Sequence, residues 1–424
     1  MSNVELFDFQ KKILDETRDH NRVAYYLDMG LGKTFVGSEK MQMLGAKMNL
    51  LVCQKSKIND WVEHFKEHYL MDVFDLTNQS QFDEFMTFSE FALAQKVGVI
   101  NYDLIFRHQN LRKLRDFTLM LDESSMIQND SAKRTNFIVK KLHPANVILL
   151  SGTPTGGRYE KLYSQLKLLG WNITKAQYWD DYVRYYIDDS AGFPMKIPIG
   201  YKNVEELKRK LREHGSVFLK SDEILNLPDQ IFQTIYVETT SAYRQFLKKR
   251  VIKIDGHELV GDTTLKLGLY SRQLCGHYNK KKLEAFRSLL QSSDDRVIVF
   301  YNFDDEVTEL VKICEDEGRP VSTVNGNGSD LTSYESCDNS VTLIQYQAGA
   351  MGLNLQKANK IVYFTPIDGW SELFEQSKKR IHRIGQKSTC FYYYLICKDS
   401  IEEEIYERLG VKKKRTDRLF KECR

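Results

Sequence analysis

The segment that most constrains this chain is Asp28-Met29-Gly30-Leu31-Gly32-Lys33-Thr34. It follows an apolar run, Val23–Leu27, and precedes a helical stretch from Phe35. A strand, a glycine loop and a helix in that order form a phosphate cradle. Gly30 and Gly32 let backbone N–H groups approach phosphate oxygens, and the helix N-terminus adds partial positive charge. Lys33 is expected at the β- and γ-phosphates and Thr34 on magnesium. Met29 and Leu31 complete the loop. The strict G-x-x-x-x-G-K-[ST] pattern fails at its first position, which is Leu27.

Two further apolar runs end in polar chemistry. Leu119–Asp122 is followed by Glu123, and Val147–Leu150 by Ser151-Gly152-Thr153-Pro154. An Asp-Glu pair at a strand end is by itself an ordinary solvated turn. Beside a phosphate loop it suits a magnesium ligand, Asp122, and a residue that polarises the attacking water, Glu123. Ser151 and Thr153 are placed to couple those carboxylates to the phosphate. Late in the chain, Gln376-Ser377-Lys378-Lys379-Arg380-Ile381-His382-Arg383-Ile384-Gly385-Gln386 carries two arginines three apart. On a helix they share a face and suit a γ-phosphate.

These segments sit in two α/β series. Leu50–Cys53 and Val97–Asn101 join the first, and Val297–Tyr301, Val341–Gln345, Lys360–Phe364 and Phe391–Cys397 make the second. Alternating strands and helices predict two parallel sheets covered on both faces. The region between reads as helices: Glu160–Leu169, Ala176–Tyr186, Val204–His214, Ser241–Lys249 and Lys281–Gln291. Gly256–Thr264 reads as a surface turn and Asn325–Ser329 as a loop. The lobe boundary is placed at Leu227-Pro228-Asp229. The first lobe is then 1–227, with a helical insertion about 160–215, and the second 228–424, with an insertion about 240–292.

Composition narrows the class. Of the 424 residues, 61 are Lys or Arg and 58 Asp or Glu, so a polybasic binder is excluded as a class. Hydrophobic residues are 42%, which excludes general disorder, and no apolar run reaches the ~18 residues a membrane span needs. None of the seven cysteines forms a C-x-x-C pair, so a zinc ribbon is not expected. The start, MSNVELFDFQKK, has no apolar signal core, and a cytoplasmic protein is expected. From Ser371 to Arg424 there are 14 Lys or Arg against 9 Asp or Glu, so cationic charge concentrates there.

The order and wording of these segments resemble the Swi/Snf family of DNA-translocating ATPases in helicase superfamily two. DMGLGKT is similar to its DEMGLGKT loop, LSGTP to LxGTP, and RIHRIGQ to RAHRIGQ. Phe9-Gln10 resembles an adenine-reading motif and LLVCQKSKINDW resembles LIVCPxSLxxxW. VIVFYNF resembles VLIFSQF, and AGAMGLNL resembles AGGLGINL. SVFLKSDEILNLP and LYSRQLCGH also have counterparts, so the resemblance covers nearly the whole chain. It implies two tandem RecA-like lobes with helical protrusions, using ATP and magnesium. Gln10, Gly352 and Asn354 join the nucleotide site. Arg380 and Arg383 act as arginine fingers when the lobes close, and Gln376 couples the lobes. Double-stranded DNA is the implied track, with Lys55, Lys57, Gln345 and Gln347 as candidate contacts.

Departures are equally specific. Ser124-Ser125 replaces the Ala-His that follows the carboxylates. Gln345-Tyr346-Gln347 replaces a Ser-Thr-Arg, and the WNPxxDxQ segment is shortened. With no appended chromatin-reading domain expected, the resemblance points to a minimal bacterial or phage-type motor. It would be monomeric, working with replication, recombination or nuclease proteins. Two other readings stay open: a strand-separating DNA or RNA helicase on the same lobes, and a catalytically weak DNA-binding scaffold.

Overall fold

The computed structural model describes residues 4–87, 94–190, 192–225, 227–349, 353–369 and 371–420. The chain divides into two compact units: Met1–Ile224 together with Lys414–Arg424, and Leu225–Lys413.

In the first unit the strands are β1 Arg22–Leu27, β2 Met48–Cys53, β3 Met71–Asp75, β4 Gln95–Asn101, β5 Thr118–Asp122, β6 Asn146–Leu150, β7 Val183–Asp188, β8 Met195–Tyr201 and β9 Ser216–Leu219. Seven form one sheet in the order β3-β4-β2-β5-β6-β1-β9, with every pairing parallel. β2 is buried at every position and β1 at every position after Arg22. That explains their near-continuous apolar runs, since helices cover both faces of a parallel sheet. β5, β6 and β1 are neighbours, so their C-terminal ends lie side by side. Ligands of open α/β sheets bind at that edge.

The second unit adds β10 Gln230–Val237, β11 Val251–Ile254, β12 His257–Val260, β13 Val297–Tyr301, β14 Val321–Asn325, β15 Gly328–Asp330, β16 Val341–Gln345, β17 Lys360–Tyr363 and β18 Cys390–Cys397. Its sheet runs β10-β18-β17-β13-β16-β14-β15, parallel except for β14 with β15. The two-residue period sorts its core onto two faces. Ile298, Phe300, Ile344 and Tyr363 pack on one, and Val297, Val299, Leu343 and Val362 on the other. The run Phe391-Tyr392-Tyr393-Tyr394 lies in β18, where Tyr394 stacks on Tyr363 at 5.2 Å between ring centroids. Lys282 and Glu402 form a fully buried ion pair at 2.6 Å.

The structure departs from the sequence expectations in several elements. The expected helix Ala176–Tyr186 stops at Tyr182, and Val183–Asp188 pairs antiparallel with Met195–Tyr201. The β-branched and aromatic Val183, Tyr185 and Ile187 favour that hairpin. The expected surface turn Gly256–Thr264 is narrower: Asp255 and Gly256 make the turn with positive φ, and His257–Val260 is a strand. Asn325–Ser329 likewise forms the tight end of the β14–β15 hairpin, where Asn325 pairs with Gly328. The units part between Ile224 and Leu225, and the chain from Lys414 groups with the first unit rather than the second. Tyr159 donates to the Arg415 carbonyl at 2.5 Å, and Lys220 pairs with Asp417 at 2.7 Å. A lysine-rich helix carries no sign of which surface it packs on.

Candidate active site

β1 ends at Leu27, and five residues separate it from the helix Lys33–Leu44. Between them Gly30 (φ 86°) and Gly32 (φ 69°) take left-handed backbone that other residues adopt only under strain. Asp28 anchors the start of the loop. One oxygen accepts from the Met29 amide at 2.9 Å and the other from the Ser221 hydroxyl at 2.7 Å. Gln10, buried, anchors its end by donating to the Leu31 carbonyl at 3.0 Å. A Cβ on Gly32 would come within 2.4 Å of the Gln10 amide nitrogen, so a side chain there would have to push that amide aside as well as adopt a strained φ. Thr34, half-buried, is the second residue of the helix.

Lys33 Nζ donates to the Leu27 carbonyl at 2.9 Å and the Asp28 carbonyl at 3.2 Å. It lies 3.4 Å from where a Cβ on Gly152 would sit, so the loop lysine and the LSGTP segment share one space. Its charge also reaches Asp122 and Glu123 and draws both carboxyls down. Burial outweighs that attraction and holds both above the ordinary carboxylate range.

The carboxylates are held from several sides. Trp61 Nε1 donates to Asp122 Oδ2 at 2.8 Å. The Tyr102 hydroxyl donates to the Asp122 carbonyl at 2.9 Å and reaches the Glu123 carbonyl at 3.3 Å. Glu123 has φ 56°, an uncommon conformation for a non-glycine residue that aims its side chain. Ser125 and Ser151 hydroxyls both donate to Glu123 Oε1 at 2.7 Å. Ser125, standing where the resemblance expects histidine, thus serves the carboxylate. Ser151 Oγ also accepts from the Thr153 amide at 3.1 Å, within the LSGTP segment. Gln165 accepts from Ser124 at 2.8 Å and donates to the Pro154 carbonyl at 2.8 Å. The hydroxyl of Thr153 is buried without a hydrogen-bond partner among the described residues.

This set fits a magnesium nucleotide. The loop offers backbone amides and an amine for phosphates. Thr34 and Asp122 offer the hard oxygens magnesium prefers. When bound, the ion would supply positive charge at the phosphates. Trp61, Tyr102, Gln165 and the Asp28–Ser221 link carry no sequence motif of their own. Trp61 and Ser221 left a trace, as the last letter of LLVCQKSKINDW and within SVFLKSDEILNLP.

In the second unit the arginines differ from the helical expectation. The helix Ser371–Lys378, which carries the half-buried Gln376, ends before them. Arg380 and Arg383 lie in the turns that follow, so a shared helical face is not what pairs them. The Gln386 amide holds this irregular path by donating to the Gln356, Ala358 and Ile381 carbonyls at 3.1, 2.9 and 3.3 Å. Gly385, at φ 98°, permits it. His382 Nε2 lies 2.9 Å from the Pro228 carbonyl and ties the turn to the start of the unit. Arg380 is buried, and burial together with the charge of Arg383 pulls its guanidinium down to about 10. Its Nε has no hydrogen-bond partner among the described residues. Arg383, also lowered by burial, donates to Asn354 Oδ1. A buried guanidinium beside a second cation is stabilised by an arriving anion.

The remaining candidates are spread over both units. Gly352 lies outside the described residues. Lys55 and Lys57 form a turn after β2, where Lys55 is exposed and Lys57 pairs with Asp60 at 2.6 Å. Gln345 ends β16 and donates to Asp304 at 3.2 Å, and exposed Gln347 lies two residues on. Both glutamines line a cavity of about 220 Å³ with Arg272, Asn302 and Asp368.

Comparison with known proteins adds the following. Residues 281–385 match a helicase conserved C-terminal domain. A Caenorhabditis elegans protein, "SWI/SNF-related matrix-associated actin-dependent regulator of chromatin subfamily A-like protein 1 homolog", is 23% identical over 96% of this chain and 61% of its own length. The Saccharomyces cerevisiae "ISWI chromatin-remodeling complex ATPase ISW1" is 24% identical over 94% of this chain and 39% of its own. The chain thus spans about 40–60% of the length of these relatives. A solved "Sulfolobus solfataricus SWI2/SNF2 ATPase core in complex with dsDNA" is 20% identical, with a TM-score of 0.46 over 97% of this chain and 92% of that one. No helix among the described residues is long and apolar enough to cross a membrane. The SNF2-related domain matches residues 26–280, more than half of the chain, and the chain therefore belongs to the SNF2-related family.

Proposed function

We propose that this chain is a nucleic-acid-dependent ATPase that couples hydrolysis to movement along duplex DNA or to the remodelling of protein–DNA complexes. The observation that carries the reading is the gathering of Lys33, Gly152, Asp122, Glu123 and Ser151 at the C-terminal edge of three adjacent strands. Lys33 and the loop amides hold the β- and γ-phosphates. Thr34 and Asp122 hold magnesium. Glu123, aimed by two serine hydroxyls, orients the attacking water. Gln10 reads the adenine edge, with Gly352 and Asn354 completing the nucleotide site. Arg380 and Arg383 supply positive charge to the transferring phosphoryl group. Ser151, Thr153 and Gln376 couple the phosphate to the track-holding segments.

Duplex DNA is proposed as the track, held at Lys55, Lys57, Gln345 and Gln347. The yeast relative's printed name, with its chromatin-remodelling ATPase, supports this reading. Affinity for DNA should be modest and fall with salt, since contacts to phosphate release counterions. Triplex displacement tests the motor. ATP-driven release of a third strand from duplex DNA is expected. Fork unwinding without triplex release would replace the translocase by a strand-separating helicase.

A further inference from the structure

We infer that Trp61 is a positioning residue that sets the carboxylate of Asp122 for magnesium and links it to the Lys55–Lys57 turn; the inference rests on the nucleotide-site reading above. An indole has one donor and no acceptor. Trp61 spends that donor on Asp122 Oδ2, at 2.8 Å, and the residue is 3% exposed. The ring has little freedom. It stacks on Phe65 at 5.7 Å and 27°, and His64 meets it edge-on at 5.5 Å and 88°.

Trp61 therefore fixes one carboxylate oxygen, Oδ2, and so orients the group that would hold the ion. The helix that carries it, Ile58–His68, begins directly after the Lys55–Lys57 turn. Trp61 is one turn of helix from that start. β2, which feeds the turn, is hydrogen-bonded to β5, which ends in Asp122, with Val52 beside Leu121. A shift of the turn on a phosphate backbone is thus passed to the carboxylate through one rigid ring and one hydrogen bond. Groups that orient metal ligands in this way commonly matter 10–100-fold in metal affinity or activity.

The test is Trp61→Phe, which keeps the ring and removes the N–H. Calorimetry of ADP binding at stepped magnesium concentrations should show half-saturation at roughly tenfold more magnesium than in wild type. Affinity for ADP in excess EDTA should be unchanged, and duplex DNA should stimulate hydrolysis by a smaller factor. An unchanged magnesium dependence in a variant that melts like wild type overturns the inference and makes Trp61 a core residue only. If wild type itself binds ADP with no magnesium dependence, the nucleotide-site reading fails, which is a separate result. Should W61F fail to fold, the wild-type indole ¹⁵N–¹H spectrum decides. The Trp61 resonance, assigned by substituting the other three tryptophans, should move with magnesium ADP and stay still with ADP in EDTA. No movement with either overturns the inference.

Discussion

Glu306 offers a quantitative test of how the second unit is built. It is fully buried near the start of the helix Asp304–Asp316. Its Oε2 accepts from the Asn302 amide at 2.9 Å, the Phe303 amide at 3.1 Å and the Thr365 hydroxyl at 2.9 Å. Its Oε1 has no partner among the described residues and sits 2.3 Å from where a Cβ on Gly276 would lie. Burial outweighs those bonds and the charge of Lys282, and pushes the carboxyl up from 4.5 to about 7. A raised folded value means that the folded state binds the extra proton. The associated stability is complete below pH 4.5 and is lost as pH rises through about 7. Between pH 5 and pH 8 that loss amounts to about 2.5 kcal/mol at most. Glu306→Gln cannot ionise, so the difference between variant and wild type isolates this group. Thermal unfolding at pH 5 and pH 8 is the assay. Relative to E306Q, wild type should lose roughly 5–10 °C between the two values, taking about 2–4 °C per kcal/mol for a unit of this size. Parallel curves for the two proteins across that range would refute the reasoning.

Other expectations are equally direct. Lys33→Ala and Glu123→Gln should each abolish ATP turnover, and wild-type turnover in E123Q would remove Glu123 from the water-positioning role. Arg383→Ala should lower kcat by about 10³-fold with ATP binding near wild type; a loss confined to binding would contradict its role. Gly32→Ala should weaken nucleotide binding, because its Cβ displaces Gln10, and calorimetry with ADP checks this. Lys282→Ala should destabilise the second unit by about 3–5 kcal/mol in denaturant titration, because it leaves the buried Glu402 uncompensated.

The two sheets were legible because buried parallel strands write themselves as short apolar runs. Val297–Tyr301 and Val341–Gln345 match their strands residue for residue. The hairpin from Val183 was not, since Tyr182 to Tyr186 continues a helix-like pattern and its outer side chains are exposed. The phosphate loop was legible because its glycines are dictated by local backbone geometry. Arg380 and Arg383 were legible as a pair of cations but not as a turn. Their path depends on the Gln386 amide reaching carbonyls up to thirty residues away. The hold of Trp61, Tyr102 and Ser221 on the loop and carboxylates is tertiary, made by residues 20 to 193 positions apart.

The central claim is that this site hydrolyses ATP under the control of duplex DNA. Steady-state hydrolysis with no polynucleotide, single-stranded DNA, duplex DNA and RNA tests it in one assay. The account predicts stimulation by duplex DNA above all other conditions, abolished in E123Q and weakened by salt. Hydrolysis absent under every condition, or driven only by RNA or single strands, would contradict it.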